Sequence, residues 1–441
     1  MSRQQSRRSF LRTSAAVAAA WHLNPTESKA SSSPLEKLNI AGIGTGNRAG
    51  ADIDGCASQN IVALADVDSN FLGQAAAKYK PERTYSDFRV MLEKEAENID
   101  AVIVGTPDHT HAPAAAMALR MGKHVYCEKP LTHTVYEART LAELAAQNRL
   151  VTQMGTQIHA GDNYRRVVEL VQSGAIGAVR EVHVWVGVDY SGATITRNKP
   201  TPSTVNWDLW LGPSPQTDYV ECTIKGKPET VHPFHWRWLW NYGTGGLGDF
   251  GCHYMDLAHW ALKLKHPTSI AAQGPKVLRD ATTSGLTVRY EYPARGEMPA
   301  VTMTWYDGGK KPPLLANYRG ADGKPLNQGS GQLFIGERGA VISNYGSHQL
   351  LPNEGEQLKR PDPWIPESIG HHKEWIEAIK TGGTTTCNFD YSGALTEAVL
   401  LGVVSYRSGE ELKWDAAKLQ VTNSAKAQQL IHKEYRRGWT L

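Results

Sequence analysis

The chain has 441 residues, too many for one ordinary domain, and this length predicts two or three domains. The formal net charge is only +3 and no long basic run occurs, which excludes a nucleic-acid partner, because phosphate binding needs a concentrated basic face. Five scattered cysteines without a CxxC pair exclude a small disulfide framework and leave a single disulfide open.

The first 30 residues have the order of an export signal. Arg7 and Arg8 form a twin-arginine pattern, an Ala-rich apolar run follows, and Ala30 closes a small-x-small cleavage site. The apolar run is shorter than the roughly 20 residues of a membrane-spanning helix, so the mature chain is predicted to have no span. We predict a twin-arginine signal over 1–30, export by the twin-arginine machinery and a periplasmic location. A disordered basic tail or an uncleaved anchor is the alternative.

A glycine-rich turn follows the first predicted strand, residues 38–43. The turn fits G-x-G-x-x-[GA], in which Gly44 permits a tight turn, Gly46 lets the backbone approach a pyrophosphate and Ala49 allows close helix packing. The next helix points its first amides at the phosphates. The predicted dinucleotide-binding residues of this turn are Gly44, Thr45, Gly46, Asn47 and Arg48.

A second apolar strand, residues 61–65, ends at Asp66. This residue lies twenty positions after Gly46, the spacing expected of the carboxylate that binds the adenosine ribose hydroxyls. A carboxylate there repels a ribose phosphate, so NAD is favoured over NADP. Asp68 is an alternative for this role, and Asp68 or Ser69 is also a candidate N-cap of the next helix.

Strands and helices continue to alternate up to residue 154. Strands are predicted at 100–105, 124–127 and 150–154, with helices near 112–121 and 135–147. This alternation is typical of a parallel sheet covered by helices, where ligands bind at the carboxyl ends of the strands. We predict an α/β Rossmann domain over 31–155.

Two of these strand ends carry unusual residues. One is followed by a turn with Thr106, Pro107 and His111, and the other by Glu128-Lys129-Pro130. Near a positive nicotinamide ring, like charge and burial disfavour the ammonium form of Lys129, which could then exchange a proton with a substrate hydroxyl. An ion pair that caps the strand is the alternative.

Together these motifs resemble the Gfo/Idh/MocA oxidoreductases. The resemblance implies that Lys129 contacts both the substrate hydroxyl and the nicotinamide, and that Thr106, Pro107, His111 and Glu128 belong to the cofactor site. It also implies a second, α+β domain with an open, mostly antiparallel sheet over 156–441, and homodimers or homotetramers.

The pattern after residue 155 agrees with such a domain. Alternating apolar and polar residues at 181–188, 286–292 and 300–305 predict strands without regular intervening helices. Helices are predicted at 163–173, 371–380 and 392–408.

The segment 245–260 holds the main acid–base candidates. In a helix, Asp249 and His253 lie four residues apart on one face, with Asp256 a further three along. A nearby carboxylate orients a histidine and raises its basicity. The resemblance implies that His253 is the general base and that Asp249 supports it and contacts the substrate. The alternatives are a divalent metal site that includes Asp256 and His259, which the family chemistry does not need, and a structural helix with a buried histidine.

A carbohydrate needs stacking surfaces and hydroxyl-binding groups. Trp236 and Arg237 belong to a run of alternating Trp and Arg residues. One interpretation is that the run lines a sugar pocket, and the other is that it packs within a sheet. Gln157, Arg165 and Asp256 are the further substrate-binding candidates.

These features predict hydride transfer between a secondary hydroxyl of a sugar or polyol and a tightly bound NAD. Free cofactor is scarce outside the cytoplasm, so an alternative is a glycoside hydrolase or lyase that oxidises its substrate transiently with no net redox change. A non-catalytic sugar or nucleotide sensor and a metal-dependent isomerase are the other readings of the same residues.

Overall fold

The computed structural model describes residues 36–320 and 323–441. The predicted twin-arginine signal lies outside the described residues. All five cysteines lie within them and are buried and unpaired.

A parallel α/β domain comes first. Its elements in chain order are β1 (Asn39–Ile43), α1 (Asn47–Gly55), β2 (Asn60–Ala65), α2 (Ser69–Tyr79), β3 (Arg83–Tyr85), α3 (Phe88–Lys94), β4 (Ala101–Val104), α4 (Asp108–Arg120), β5 (His124–Cys127), α5 (Val135–Gln147) and β6 (Thr152–Met154). The six strands form one parallel sheet in the order β3-β2-β1-β4-β5-β6. This order confirms the predicted Rossmann-like fold.

Local sequence explains these elements. Every residue of β4 and β5 is buried, as expected of short apolar strands with helices on both faces. Helix α5 begins with a capping box in which Thr134 and Glu137 satisfy each other's backbone amides. Asp68 is the N-cap of α2 and accepts a hydrogen bond from the Asn70 amide at 2.9 Å.

The second region contains a large sheet. Its elements are α6 (Asp162–Gln172), β7 (Val179–Trp185), β8 (Ala193–Asn198), α7 (Trp207–Leu211), β9 (Val220–Ile224), β10 (Lys227–Thr230), α8 (Gly245–Tyr254), α9 (Asp256–Ala261), β11 (Ser269–Gln273), β12 (Thr287–Tyr292), β13 (Val301–Tyr306), β14 (Gly331–Gly336), β15 (Gly339–Ser343), β16 (His348–Pro352), α10 (His371–Thr381), α11 (Phe389–Ser408), β17 (Leu412–Asp415), β18 (Gln420–Val421) and α12 (Ala425–Gln428). Nine strands form the order β16-β15-β14-β7-β13-β12-β11-β17-β18. Only the β7–β13 pair among them is parallel, which confirms a mostly antiparallel sheet.

Residues 186–244, between β7 and α8, form what we call the cap region. Strands β8, β9 and β10 make a separate antiparallel sheet with its own apolar core. The cap region reaches the end of β2, where Asn206 donates its amide to the Val67 carbonyl and His232 Nε2 lies 2.9 Å from Asp68 Oδ2. It therefore covers one end of the Rossmann sheet.

The helices predicted at 371–380 and 392–408 are present as α10 and α11, and both return to the first sheet. Trp375 and Ile379 of α10 share a core cluster with Ile40 and Leu64 of the sheet. Helix α11 packs between α5 and α8 and so connects the two sheets. Within the described ranges, no helix is both long enough and apolar enough to cross a membrane.

Candidate active site

A cavity of about 560 Å³ lies where the Rossmann strand ends face the second region. Most of the predicted site residues line it. From the Rossmann domain these are Gly44, Thr45, Gly46, Asn47, Arg48, Asp66, Thr106, Pro107, His111, Glu128 and Lys129. Gln157, which follows β6, lies beside them, and Trp236, Arg237, Asp249 and His253 line the cavity from the second region.

The glycine turn has the geometry of a phosphate cradle. Gly44 has a φ of +81°, and a Cβ there would lie 2.9 Å from the Gly105 carbonyl oxygen. A Cβ on Gly46 would lie 2.7 Å from the Phe71 ring. Helix α1 begins directly afterwards without a side-chain cap, so its first amides are available to an anion. The turn therefore fits a dinucleotide pyrophosphate.

Asp66 lies at the end of β2 and ties the glycine turn to the sheet. Its Oδ2 accepts hydrogen bonds from the amide and the hydroxyl of Thr45, at 2.7 and 2.9 Å, and its Oδ1 accepts the Asp68 amide. Burial raises the pKa of Asp66. A carboxylate has about four acceptor positions, so these three bonds leave capacity for a ribose hydroxyl.

Arg48, Glu128 and Gln157 form a polar network in the cavity wall. Arg48 Nε lies 3.3 Å from Glu128 Oε1, and Gln157 donates to the same oxygen at 2.6 Å. The other end of Arg48 pairs with the buried Asp52 at 2.7 Å. Burial, aided by Asp52, raises the pKa of Glu128 to about 7. The three side chains face the cavity, and their mutual hydrogen bonds and ion pairs fix their positions.

His111 connects two of the strand-end turns. Its Nδ1 lies 2.8 Å from the Pro130 carbonyl oxygen and its Nε2 lies 2.7 Å from that of Thr106. Burial lowers the pKa of His111. The ring thus fixes the turn after β4 against the turn that contains Lys129.

The central contact is an ion pair between Lys129 and Asp249. Lys129 Nζ lies 2.5 Å from Asp249 Oδ1 and 3.0 Å from the Asp249 carbonyl oxygen. Burial favours neutral Lys129, as the sequence predicted, but Asp249 and Glu128 outweigh it and raise the pKa of Lys129. Burial likewise opposes the charge of Asp249, yet Lys129 and Arg237 lower the pKa of Asp249 to about 2. Both groups are therefore charged at neutral pH.

Against burial and Lys129, the charge of Asp249 favours a higher pKa for His253, but no hydrogen bond joins the two side chains to orient the ring. The second oxygen of Asp249, Oδ2, accepts a hydrogen bond from the Tyr190 hydroxyl at 2.6 Å and lies 3.8 Å from Arg237 Nε. Both carboxylate oxygens thus serve Lys129 and Tyr190. His253 Nδ1 is buried and has no hydrogen-bond partner among the described residues.

His253 lines the cavity from α8, one helical turn after Asp249. Burial and the nearby Lys129 lower the pKa of His253 to about 3. The imidazole is consequently neutral at pH 7. A neutral imidazole beside an ammonium group can accept a proton while the ammonium stabilises negative charge.

Aromatic rings hold Arg237 at the cavity. The run from His235 to Trp238 is a 3₁₀ helix rather than a strand. It places the Arg237 guanidinium 4.1 Å from the Trp236 ring and 4.5 Å from the Phe234 ring. Phe234 is 45% exposed and lines the cavity, so it forms part of the surface that a ligand meets.

Two predicted substrate residues lie elsewhere. Arg165 is buried and donates to the carbonyl oxygens of His159 and Pro366. Asp256 is also buried and contacts His159 Nδ1 at 2.9 Å and the Tyr391 hydroxyl at 2.7 Å. Neither lines the cavity: Arg165 lies on the buried face of α6, and Asp256 starts a separate helix, α9, because α8 ends at Tyr254.

The four side chains that were candidates for a metal site do not lie together either. Asp249 and His253 face the cavity, whereas Asp256 and His259 are interior, with His259 Nε2 3.0 Å from the Tyr292 hydroxyl. In the described part of the chain no three His, Cys, Asp or Glu side chains are grouped to hold a metal ion.

Several cavity residues were not among the predictions. One of them, Asp108, follows β4 in the sequence. Its carboxylate accepts a hydrogen bond from the Thr244 hydroxyl at 3.0 Å. Burial and Asp249 raise the pKa of Asp108 to about 7. Its position directly after Thr106-Pro107 was a usable signal. Tyr190, Phe234 and Trp439 carry no comparable pattern, because loops and the cap region place them.

Two family profiles cover nearly the whole chain. One, described as "Oxidoreductase family, NAD-binding Rossmann fold", matches residues 14–156, and another, "Oxidoreductase family, C-terminal alpha/beta domain", matches residues 161–441. The chain belongs to the Gfo/Idh/MocA oxidoreductase family. Its first domain is an NAD-binding Rossmann domain, and NAD is its cofactor, as predicted.

Relatives of this oxidoreductase include sugar and polyol dehydrogenases. Inositol 2-dehydrogenase of Rubrobacter xylanophilus is 30% identical over 32% of this chain and 42% of its own length. Levoglucosan dehydrogenase of Pseudarthrobacter phenanthrenivorans is 24% identical over 45% of this chain and 41% of its own. The chain thus spans about two fifths of the length of these curated relatives.

Solved structures share the fold over a longer range. Levoglucosan dehydrogenase in complex with NADH and levoglucosan gives a TM-score of 0.57 at 16% identity, covering 86% of this chain and 99% of that one. The WlbA dehydrogenase from Bordetella pertussis, in complex with NADH and UDP-GlcNAcA, gives 0.60 at 16% identity, covering 86% and 99%. At such identities the likeness concerns the fold.

Proposed function

We propose that this oxidoreductase oxidises a secondary hydroxyl of a sugar or polyol and retains its NAD between turnovers, the carbonyl group of a second sugar accepting the hydride back from the bound NADH. The observation that carries the proposal is the Lys129–Asp249 pair beside a neutral His253, in the cavity that begins at the glycine turn. The relatives named above act on carbohydrates or polyols by their printed names.

Each charged group has a role in this reaction. Lys129, held by Asp249, donates a hydrogen bond to the substrate oxygen and stabilises the negative charge that develops there. His253 accepts the hydroxyl proton. NAD, when bound, supplies the acceptor for the hydride that leaves the carbon. Arg237 and the rings of Trp236 and Phe234 hold the sugar, with Tyr190 keeping Asp249 in place.

The preference for NAD over NADP rests on Asp66. A carboxylate at the end of β2, already bound to Thr45, repels a ribose phosphate. We also propose export by the twin-arginine route to the periplasm, from Arg7 and Arg8, and a homodimer or homotetramer, from the family resemblance.

The first test is the nucleotide content of the mature protein after extensive dialysis. Denaturation followed by quantification of released NAD and NADH is expected to give about one nucleotide per chain. A panel of sugars and polyols then identifies those that reduce the bound cofactor. A protein that carries no nucleotide and binds added NAD only weakly would contradict retention, and an unreduced cofactor across the panel would contradict the oxidation.

Asp108 favours a second candidate function, cleavage of a glycoside through a transient keto-sugar. That chemistry needs a further acid–base group besides His253, and Asp108 lies in the same cavity with a pKa raised to about 7. Product analysis separates the two functions. Cleaved glycoside without net oxidation supports the second, and an oxidised intact sugar supports the first.

A further inference from the structure

A tryptophan from far along the chain closes one end of the cavity. Trp439 lines it together with Val67, Ser86, Asp87 and Phe88, which follow the carboxyl ends of β2 and β3. The indole is only 8% exposed. This is the end next to Asp66, where the adenosine half of a dinucleotide lies in Rossmann domains.

The segment 433–439 is fastened to the Rossmann helices. Lys433 is largely buried, with 18% of its side chain exposed; its Nζ lies 3.1 Å from the buried Glu137 carboxylate and donates to the His109 carbonyl oxygen at 3.2 Å. Tyr435 donates its hydroxyl to the same carboxylate at 2.6 Å. A buried pair of this kind positions a chain segment, because removing either partner leaves an uncompensated charge.

The same segment is also fastened to the cap region. Arg436 donates to the backbone carbonyl oxygens of Asp208 and Gly212, at 2.7 and 3.1 Å, and pairs with the Asp208 carboxylate. Its own amide donates to the Pro213 carbonyl oxygen. The segment therefore connects the cap region to the Rossmann domain across the end of the cavity.

Arg89 fixes the orientation of the indole. Its guanidinium carbon lies 4.2 Å from the centre of the Trp439 ring, and its Nη1 donates to the Gly438 carbonyl oxygen at 3.1 Å. Arg89 is itself held by Asp87, at 2.7 Å. The Phe88 ring lies 5.9 Å from the indole. Trp439 is thus an oriented aromatic wall rather than a loose side chain.

We propose that Trp439 forms the adenine subsite of the cofactor site, and that the segment 433–439 holds it there. The proposal rests on the proposed function only in taking a dinucleotide as the ligand. A flat adenine base recognised by an aromatic ring needs that ring in a fixed plane, and Arg89 and Arg436 provide the fixing. The retention of NAD then depends on a residue outside the Rossmann domain.

Titration of the nucleotide-free full chain with AMP and with nicotinamide mononucleotide separates the two halves of the cofactor. Trp439→Leu keeps an apolar side chain without an aromatic face, and Trp439→Phe keeps a ring. Loss of base–aromatic stacking is expected to weaken AMP binding by about 5- to 100-fold in Trp439→Leu. Trp439→Phe should lose much less, and nicotinamide mononucleotide should bind equally to all three.

Trp364→Ala is the matched control, because Trp364 is 49% exposed and lies outside the cavity. Thermal unfolding of each variant establishes that it is folded. AMP affinity of Trp439→Leu within twofold of the parent, or equal losses for both half-ligands, would overturn the adenine subsite. Failure of the parent protein to bind either AMP or NAD would instead overturn the proposed function.

Discussion

The two walls of the cavity are built in different ways. The Rossmann wall consists of turns that follow consecutive parallel strands, so residues such as Gly44 and Lys129 arrive at one sheet edge by topology alone. The opposite wall combines a loop residue, a 3₁₀ helix and α8, represented by Tyr190, Arg237 and His253. This difference shows that the phosphate-binding turn and the strand-end residues are encoded locally, whereas the acid–base and substrate groups depend on how the two sheets pack.

If the walls divide the work, changes on the second wall should stop chemistry and spare nucleotide binding. His253→Gln is expected to lower kcat by about 10²- to 10⁴-fold, because the proton acceptor is lost. The NAD content after dialysis should stay at the parent value. His432→Gln, at an exposed position, is the control. Unchanged single-turnover reduction of the bound cofactor in His253→Gln would remove this residue from the mechanism.

Lys129 lies on the Rossmann wall but touches the second wall, so its replacement sharpens the comparison. Lys129→Met is expected to lower kcat by about 10²- to 10³-fold, through loss of charge stabilisation at the substrate oxygen. The change also leaves Asp249 buried without its partner, which destabilises the fold. The double variant Lys129→Met/Asp249→Asn relieves that charge and should stay inactive. The exposed Lys94→Met is the control.

The Rossmann wall can be tested by adding a methyl group to its glycine turn. Gly46→Ala places a Cβ 2.7 Å from the Phe71 ring, which must move within the cavity. A bound dinucleotide would keep Phe71 from moving away, so the overpacking cost of about 1–3 kcal/mol should weaken NAD binding by about 5- to 150-fold. Gly73→Ala, where a Cβ meets nothing within 4 Å, should bind NAD normally. Calorimetric titration measures both, and equal affinities would show that the turn does not approach the cofactor.

A smaller effect is expected from replacing Phe234, an exposed residue of the second wall. Phe234→Ala removes one of the two rings that hold the Arg237 guanidinium. An exposed cation–π contact contributes about 0.5–1 kcal/mol, so KM for the sugar should rise about 2- to 5-fold with kcat unchanged. Trp364→Ala is a control of similar exposure. A fall in kcat without a change in KM would contradict a binding role.

The smallest effect is on stability and concerns Asp108. Burial and Asp249 raise its pKa to about 7 in the folded chain, against an ordinary value of 3.8. The protonated carboxyl therefore stabilises the folded state at low pH. This stabilisation is lost as the pH rises from about 4 to 7. Between pH 5 and pH 8 this contribution to the free energy of unfolding falls by about 3 kcal/mol, so the Tm should drop by a few degrees less in Asp108→Asn than in the parent. The exposed Asp218→Asn should leave that drop unchanged, and the same result for Asp108→Asn would place its pKa near the ordinary value.

The sequence predicted many residues of the Rossmann wall because the patterns that mark them are local. A glycine turn after an apolar strand, and Asp66 at a set distance from it, follow from the period of a βαβ unit. The same reasoning placed Asp249 and His253 on one helix correctly, since they are four residues apart. It extended that helix too far, to Asp256, because nothing in the local pattern marks the break at Met255.

By itself, the sequence determined the fold class, the nucleotide turn and nearly half of the residues that line the cavity. Only the tertiary structure decided which partners the charged groups have. Asp249 pairs with Lys129, 120 residues away, rather than with its helical neighbour, and this pairing outweighs the burial that would otherwise neutralise the lysine. Trp439 likewise reaches the cavity beside the ends of β2 and β3 through long-range packing. Long-range pairs of this kind depend on how the elements pack, and no short sequence pattern records that.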